Sequence, residues 1–275
     1  MSKLIWLGLL LIVAYAPALY RLAQQWMNDP NMGHGIFVPI VAVWIAWGKR
    51  GELATIKPYT NWLGIVFVLW ASLQLLIGTL GAELFLSRTA FLIALIGAVL
   101  FLYGTETLKV FAFPLFLLFF MIPIPKILFN HVTLPLQEIA SGLAALMLQV
   151  SGIHVTRMGN ILELPSQSLN VVEACSGIRS LLSMSFLALV YGYFFDSRNW
   201  IRIVLLIASI PITIIANAGR VTLTGILSEY NIAAAEGFIH MAEGWVVFVI
   251  SLMILFVFHR SMQKVYPCNI NLRWS

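Results

Sequence analysis

The sequence predicts an all-α fold: a polytopic transmembrane helical bundle of about eight spans, with a short extended extracytoplasmic excursion before Cys175. Three observations predict it. Of 275 residues, 61% are hydrophobic and 10% charged, and mean hydropathy is +0.94, far from a soluble domain's balance. The apolar residues fall into runs near the roughly 20 residues that cross a hydrocarbon core. Lys and Arg gather beyond the ends of alternate runs, which orients the spans.

The runs lie at 4–20, 35–48, 61–80, 86–103, 108–124, 177–195, 201–221 and 238–258. The first follows Lys3 and lacks a small-residue cleavage site, so it reads as a retained span and not a removed signal peptide. The second is short, as a tilted or re-entrant segment would be. Lys49, Arg50 and Lys57 follow it, Arg198 and Arg202 join the sixth to the seventh, and Arg260, Lys264 and Arg273 lie in the tail. These segments are assigned to the cytoplasm, and an even span count places both termini there. The whole chain, 1–275, is read as one transmembrane domain with 258–275 as a short cytoplasmic tail. The net charge of +5 is scattered among loops without forming a basic stripe, so nucleic acid is not an expected partner.

Residues 127–153 are apolar enough to raise the question of a ninth span. Gln137, Glu138, Ser141 and Gln149 are interspersed with Leu and Ala there, the pattern of a helix lying in the interface or packed on the bundle. From Gly152 to Glu173, polar and β-branched residues alternate around Gly159 and Pro165, which predicts extended structure outside the membrane. That excursion delivers EACSGIRS, Glu173 to Ser180, to the outer rim.

Cys175 is the candidate nucleophile. With Cys268 in the cytoplasmic tail, a disulfide between the two cysteines would have to cross the bilayer. A lone membrane cysteine is usually a small buried hydrophobe. Here Ser176 and Gly177 open the helix start, the helix N-terminus favours the thiolate, and Arg179 lies one turn along. In the run IIANAGRVTLTG, Asn217 and Arg220 share a face at i, i+3, while Ala218 and Gly219 permit close helix approach. Arg220 at that position can bind a carbonyl oxygen, stabilise an oxyanion or hold a thiolate. An arginine at a span end often only snorkels. His240 opens the last run, with Glu236 one turn before it and Glu243 almost one turn after; either carboxylate can fix its tautomer. His34, in DPNMGHGIFVP, is a secondary candidate with Asp29. His259 is expected at the cytoplasmic end.

Other chemistries fit less well. There is no HExxH, no CxxC and no His pair at i, i+4, so no metal or other cofactor is indicated. A GxSxG-like serine nucleophile is absent. Transporters place charges at midspan and show inverted repeats, whereas these polar residues gather at one rim. Two further readings compete with acyl transfer: a non-enzymatic membrane component of polysaccharide export or assembly, and a transporter for an anionic solute.

Three motifs, ACSGIRS (Ala174 to Ser180), NAGRV (Asn217 to Val221) and GFIH (Gly237 to His240), occur in that order at span ends. In this the chain resembles the exosortases and archaeosortases, multispanning cysteine transpeptidases of bacteria and archaea. The stretch GHGIFVP is similar to the family's Ser-His-Gly segment, with Gly33 where serine is usual. Pattern similarity extends loosely from Trp26 to Phe258. The resemblance implies Cys175, Arg220 and His240 as the catalytic set. It also implies the substrates: secreted proteins with a C-terminal sorting signal made of a Pro-Glu-Pro-type motif, a transmembrane helix and a basic cluster. The expected setting is the inner membrane, with the site on its extracytoplasmic face and an acceptor nucleophile as second partner.

Overall fold

The computed structural model describes residues 2–171, 177–230 and 238–266. The chain divides into two compact units, Met1–Pro125 and Lys126–Ser275. The segment between the last helical turn of the first and the first of the second holds Pro123 and Pro125, residues that cannot donate the backbone bonds a continuing helix needs.

In the first unit, α1 (Ser2–Ala14) and α2 (Ala16–Asn28) meet at Tyr15 with a bend of 80°. Pro17 sits in the first turn of α2, where its missing N–H is harmless and its fixed φ starts a new helix. Tyr15 is buried at the bend, edge-on to Phe91 at 5.6 Å. Asp29 ends α2, and its carboxylate accepts from the Asn31 N–H at 2.9 Å. The chain then makes a 3-10 turn over Pro30–Ile36, followed by α3 (Phe37–Gly48) and the short α4 (Arg50–Thr55).

The tightest packing is between α5 (Leu63–Leu80) and α6 (Leu84–Leu117). The buried residues of α5 are Gly64, Ala71 and Gly78, a seven-residue repeat that forms one seam. Ala90, Ala94 and Gly97 of α6 are buried in the same pairing. A Cβ on Gly64 would stand 2.5 Å from the Gly97 carbonyl oxygen. Lipid tails are as apolar as leucine, so helices in a membrane associate by such backbone-close packing of small residues.

The second unit opens with α7 (Lys126–Val150). Its buried residues, Thr133, Gln137, Ala140, Ser141, Ala144, Ala145 and Leu148, recur at three- and four-residue spacing and make one face. Three short strands follow, β1 (Thr156–Met158), β2 (Ile161–Glu163) and β3 (Ser168–Asn170), antiparallel in the order β1-β2-β3. Met158 pairs with Ile161 across a two-residue Gly159-Asn160 turn. Gly159 has φ 61°, the positive angle that such hairpin turns require and glycine supplies without strain. Leu162, Leu164, Leu169 and Val171 bury against Ala144, Ala145 and Leu148 of α7 and Val221. The expected extended excursion is therefore a small sheet lying on helices. The helices α8 (Gly177–Phe195), α9 (Asn199–Tyr230) and α10 (Phe238–Val265) complete the described unit.

The all-α polytopic expectation holds, but the span count differs. Among the described residues five helices are long and apolar enough to cross a membrane, or six if the bent α1–α2 pair is one span, against the eight expected. One physical reason is that the runs 86–103 and 108–124 lie within one element, Leu84–Met121; in α8, which follows residues outside the described ones, the described apolar part is Ser180–Phe195. The 38-residue element is not straight. At 1.5 Å per residue it would reach about 57 Å, nearly twice the hydrocarbon thickness. Gly104 interrupts it with φ 80° and ψ −178°. Arg88 Nη1 donates to Gln25 Oε1 at 2.8 Å and Trp26 Nε1 donates to the Met121 carbonyl at 2.9 Å, so both ends return to neighbouring residues of α2. The helix α7 is not among the candidate spans and packs against α9, as expected of a helix laid on the bundle.

Candidate functional site

The helix α9 carries a polar stripe, Thr213, Asn217, Arg220 and Thr224, at i, i+4, i+7 and i+11, which is one helical face. Thr213, Asn217 and Thr224 are buried and Arg220 is half-buried. The threonines return their hydroxyls to their own helix: Thr213 Oγ1 donates to the Ser209 carbonyl at 2.7 Å and Thr224 Oγ1 to the Arg220 carbonyl at 3.0 Å. Below Arg220 the stripe meets α7 and α8 around a cavity of about 20 Å³ lined by Thr133, Gln137, Leu181, Thr213 and Asn217 among others. That is room for roughly one water. Asn217 lines this cavity, and Arg220 follows it three residues later on α9. Gln137, in the region read as an interfacial or packed helix, is with Thr133 the polar contribution of α7 to this cavity. Its Oε1 also accepts from Asn160 Nδ2 of the hairpin turn at 3.2 Å.

Arg220 reaches α10. A Cβ placed on Gly244 would lie 3.5 Å from Arg220 Nη1, so the guanidinium packs over bare backbone. His240 is four residues before Gly244, hence on the same face and one turn away. Glu243 adjoins Gly244, three residues after His240.

Chain geometry brings the start of α8 to the same level. The helices α8 and α9 are joined by Asp196, Ser197 and Arg198 and pack against each other. Gly177 is 19 residues before Asp196, and Arg220 is 21 residues after Asn199. Antiparallel helices of those lengths differ in rise by about 3 Å, less than one turn. Arg179 lies in the first turn of α8 and is placed by its backbone alone, as are His240 and Glu243. Cys175, Ser176 and Glu236 lie outside the described residues. Cys175 is two residues before Gly177 in sequence.

His34 belongs to the first unit. Its Nε2 donates to the Phe120 carbonyl at 3.2 Å, while Asp29, its expected companion, caps the following turn.

Two polar groupings went unread in the sequence. At the Asp196 end of the second unit, Asp196, Arg202 and His259 are buried together. His259 Nε2 faces Asp196 Oδ2 at 3.3 Å and its Nδ1 faces the Tyr191 hydroxyl at 2.9 Å. Arg198 forks onto the same carboxylate at 2.8 and 3.0 Å, and Arg202 donates to the Asn199 side chain and the Asp196 carbonyl. Burial would raise the Asp196 carboxyl, but bonds from Arg198 and His259 outweigh it and bring the pKa down to about 2. At the other end of α9, Glu229 Oε1 accepts from the Ser166 N–H and hydroxyl at 3.1 and 2.7 Å, tying the strand loop to the helix. The sequence offers a faint signal for each: a histidine inside an apolar run, and an acid one helical stretch beyond a polar stripe.

Residues 26–257 match the protein family described as transmembrane exosortase (Exosortase_EpsH). No curated protein matches the chain, and no solved structure does.

Proposed function

The chain belongs to the transmembrane exosortase family, and from that premise we propose that it is a membrane-embedded cysteine peptidase and transpeptidase. It cleaves the C-terminal sorting signal of secreted proteins at the extracytoplasmic face of the inner membrane. The observation that carries the site assignment is the Arg220 guanidinium against Gly244, one turn from His240 and level with the helix that Cys175 precedes. This proximity supports reading the three motifs as one site.

In the mechanism, His240 takes the Cys175 proton and the thiolate attacks the scissile carbonyl carbon. The carbonyl electrons move onto oxygen, and Arg220 stabilises that charge with a cation whose fork matches oxygen acceptors. The C–N bond breaks as imidazolium returns the proton to the leaving amine, which leaves a thioester. An acceptor nucleophile, or water, gives its proton to His240 and attacks the thioester, and the thiolate departs. Asn217, buried one turn below Arg220, lines the cavity between α9 and α7. A substrate anchored by its own transmembrane helix searches in two dimensions, which raises its effective concentration at the rim.

The test is co-expression of the chain, as wild type or Cys175→Ala, with a protein bearing a Pro-Glu-Pro-type C-terminal signal, followed by mass spectrometry of the substrate C-terminus. Processing by wild type alone is expected, and an added mass at the new terminus identifies the acceptor. Equal processing by Cys175→Ala at matched membrane abundance would rule out the nucleophile assignment.

A further inference from the structure

Over Gly244–Val265 the last helix buries few side chains, and near its end Gln263 Nε2 donates to the Phe195 carbonyl at 3.3 Å. Of the window Gly244–Val265 only 17% is buried, and Trp245, Val246, Val249, Ile250, Met253 and Val257 are exposed, as on a lipid-facing surface. Its buried positions are Ser251, Leu255 and His259, one face at i, i+4, i+8. Ser251 donates to the Val247 carbonyl of its own helix, and Leu255 packs with Met184, Ala188, Ile201 and Leu205. An apolar contact of this kind loses little on sliding, because lipid is as good a partner as leucine. One-turn ratchets of a helix along its neighbour, about 5.4 Å, are a known mode of rearrangement.

His259 is different. It is fully buried and its two ring nitrogens meet Asp196 and Tyr191. Sliding α10 by one turn would strip both contacts and bury an unpaired polar ring, which is unfavourable. Arg198 further anchors the chain just past α10 by donating to the Tyr266 carbonyl at 2.8 Å. His240 is 19 residues before His259, and Arg220 is 18 residues after Arg202. At 1.5 Å per residue both stand about 27 to 29 Å from the cluster. The Arg220 side chain leans toward the N-terminus of α9, as helical side chains do, which is the direction of Gly244.

We propose that Asp196, His259 and Arg202 form a positioning site for the reaction at the far end of the bundle. The cluster locks the axial register of α10 against α9, so that His240 stands level with Arg220. Its catalytic meaning rests on the peptidase reading above, whereas the register itself does not.

The experiment separates the two. In a full-length chain carrying Cys175→Ser and Cys268→Ser, Arg220→Cys and Gly244→Cys are bridged in native membranes with a short bifunctional thiosulfonate, and the joined peptides are quantified by mass spectrometry. A high yield is expected with His259 present, and a several-fold loss with His259→Leu, together with new bridging when the second cysteine is moved one turn, to Phe248 or His240. Asp196→Asn, a milder change, should give a smaller loss in the same direction. In the chain with Cys175, Arg220 and Gly244 intact, His259→Leu should lower kcat for the sorting-signal substrate several-fold with KM little changed, per molecule of inserted protein. Unchanged bridging in the inserted protein, or no bridging even with His259 present, overturns the proposal. So does a drop in abundance with bridging and kcat both retained, because a stability element alone would behave that way. Register-dependent bridging in a chain that processes no substrate supports the lock and counts against the peptidase reading only.

Discussion

Gly244 gives the most direct test of the site, because only one van der Waals distance separates its missing side chain from the Arg220 guanidinium. A Cβ there meets Nη1 at 3.5 Å, an ordinary contact distance, so Gly244→Ala fits without displacing Arg220. In a helix the same change is worth up to about 1 kcal/mol in favour of alanine. Gly244→Val extends about 1.5 Å further with γ-carbons whose rotamers are restricted in a helix. The guanidinium must then retreat by about 1 Å or more to restore contact distance. Misplacement by that amount costs roughly 100-fold in rate, or about 2.7 kcal/mol of transition-state stabilisation. The assay is the rate of sorting-signal cleavage by purified, detergent-solubilised protein, with folded abundance matched by size-exclusion profile. Alanine should keep activity within about threefold, and valine should lose about 10 to 100-fold in kcat. Wild-type activity in Gly244→Val, or equal losses in both variants, would refute the claim that Arg220 must occupy this space.

Three further outcomes are expected. Arg220→Lys keeps the charge but loses the planar fork, so processing should fall by at least about 10-fold with membrane abundance unchanged, measured in the same cleavage assay. The Asp196 carboxyl, held at about 2 against an ordinary 3.8, contributes on the order of 2 kcal/mol of stability above pH about 4. A lowered carboxylate pKa places that contribution above the unfolded value, so it is lost as pH falls toward 2, and Asp196→Asn should flatten the dependence of thermal unfolding on pH over that window. Gly64→Val would drive a side chain into the α6 backbone, where a Cβ alone already stands 2.5 Å from the Gly97 oxygen. It should cut folded abundance sharply, by 3 kcal/mol or so of overpacking, while wild-type behaviour would show that the seam can open.

Much of the architecture could be read from residue patterns, and the failures share a cause. Apolar runs mark where a chain can cross, and the alternation around Gly159 marks where it cannot be helical; both need only local information. Gln137 and Ser141 marked α7 as something other than a lipid-exposed span because polar residues at that spacing need protein partners. The bend at Tyr15 was less legible, since it needs Pro17 and a ring contact with Phe91 acting together. The single element Leu84–Met121 could not be foreseen from two apolar runs, because Gly104 reads equally well as a loop or as a break within a hydrogen-bonded segment. At the site, the i, i+3 relation of Asn217 and Arg220 on one helix followed from helical spacing. The contact with Gly244 did not, because glycine announces space without naming what fills it. Arg198 and Arg202 were read as orienting charges, and Asp196 went unread. Charge count alone cannot distinguish a solvated loop from a buried cluster that captures a histidine from another helix.

The two ends of the second unit solve opposite problems with the same residue types. At the Asp196 end the polar groups satisfy one another: the carboxylate is saturated by Arg198 and His259, and such a network is costly to break, since removing one partner leaves the rest buried and unpaired. At the Arg220 end the polar stripe is spread along a helix, its threonines turned back to their own backbone, and the neighbour at Gly244 has no side chain at all. In the proposed reaction the Arg220 guanidinium, packed against the Gly244 backbone, meets the oxygen on which charge develops, which is where preorganised donors accelerate chemistry most. A rigid network at one end and a reacting group at the other are complementary demands. Over Gly244–Val265 so little of α10 is buried that we place the setting of its register at the Asp196 network, far from the proposed reacting atoms.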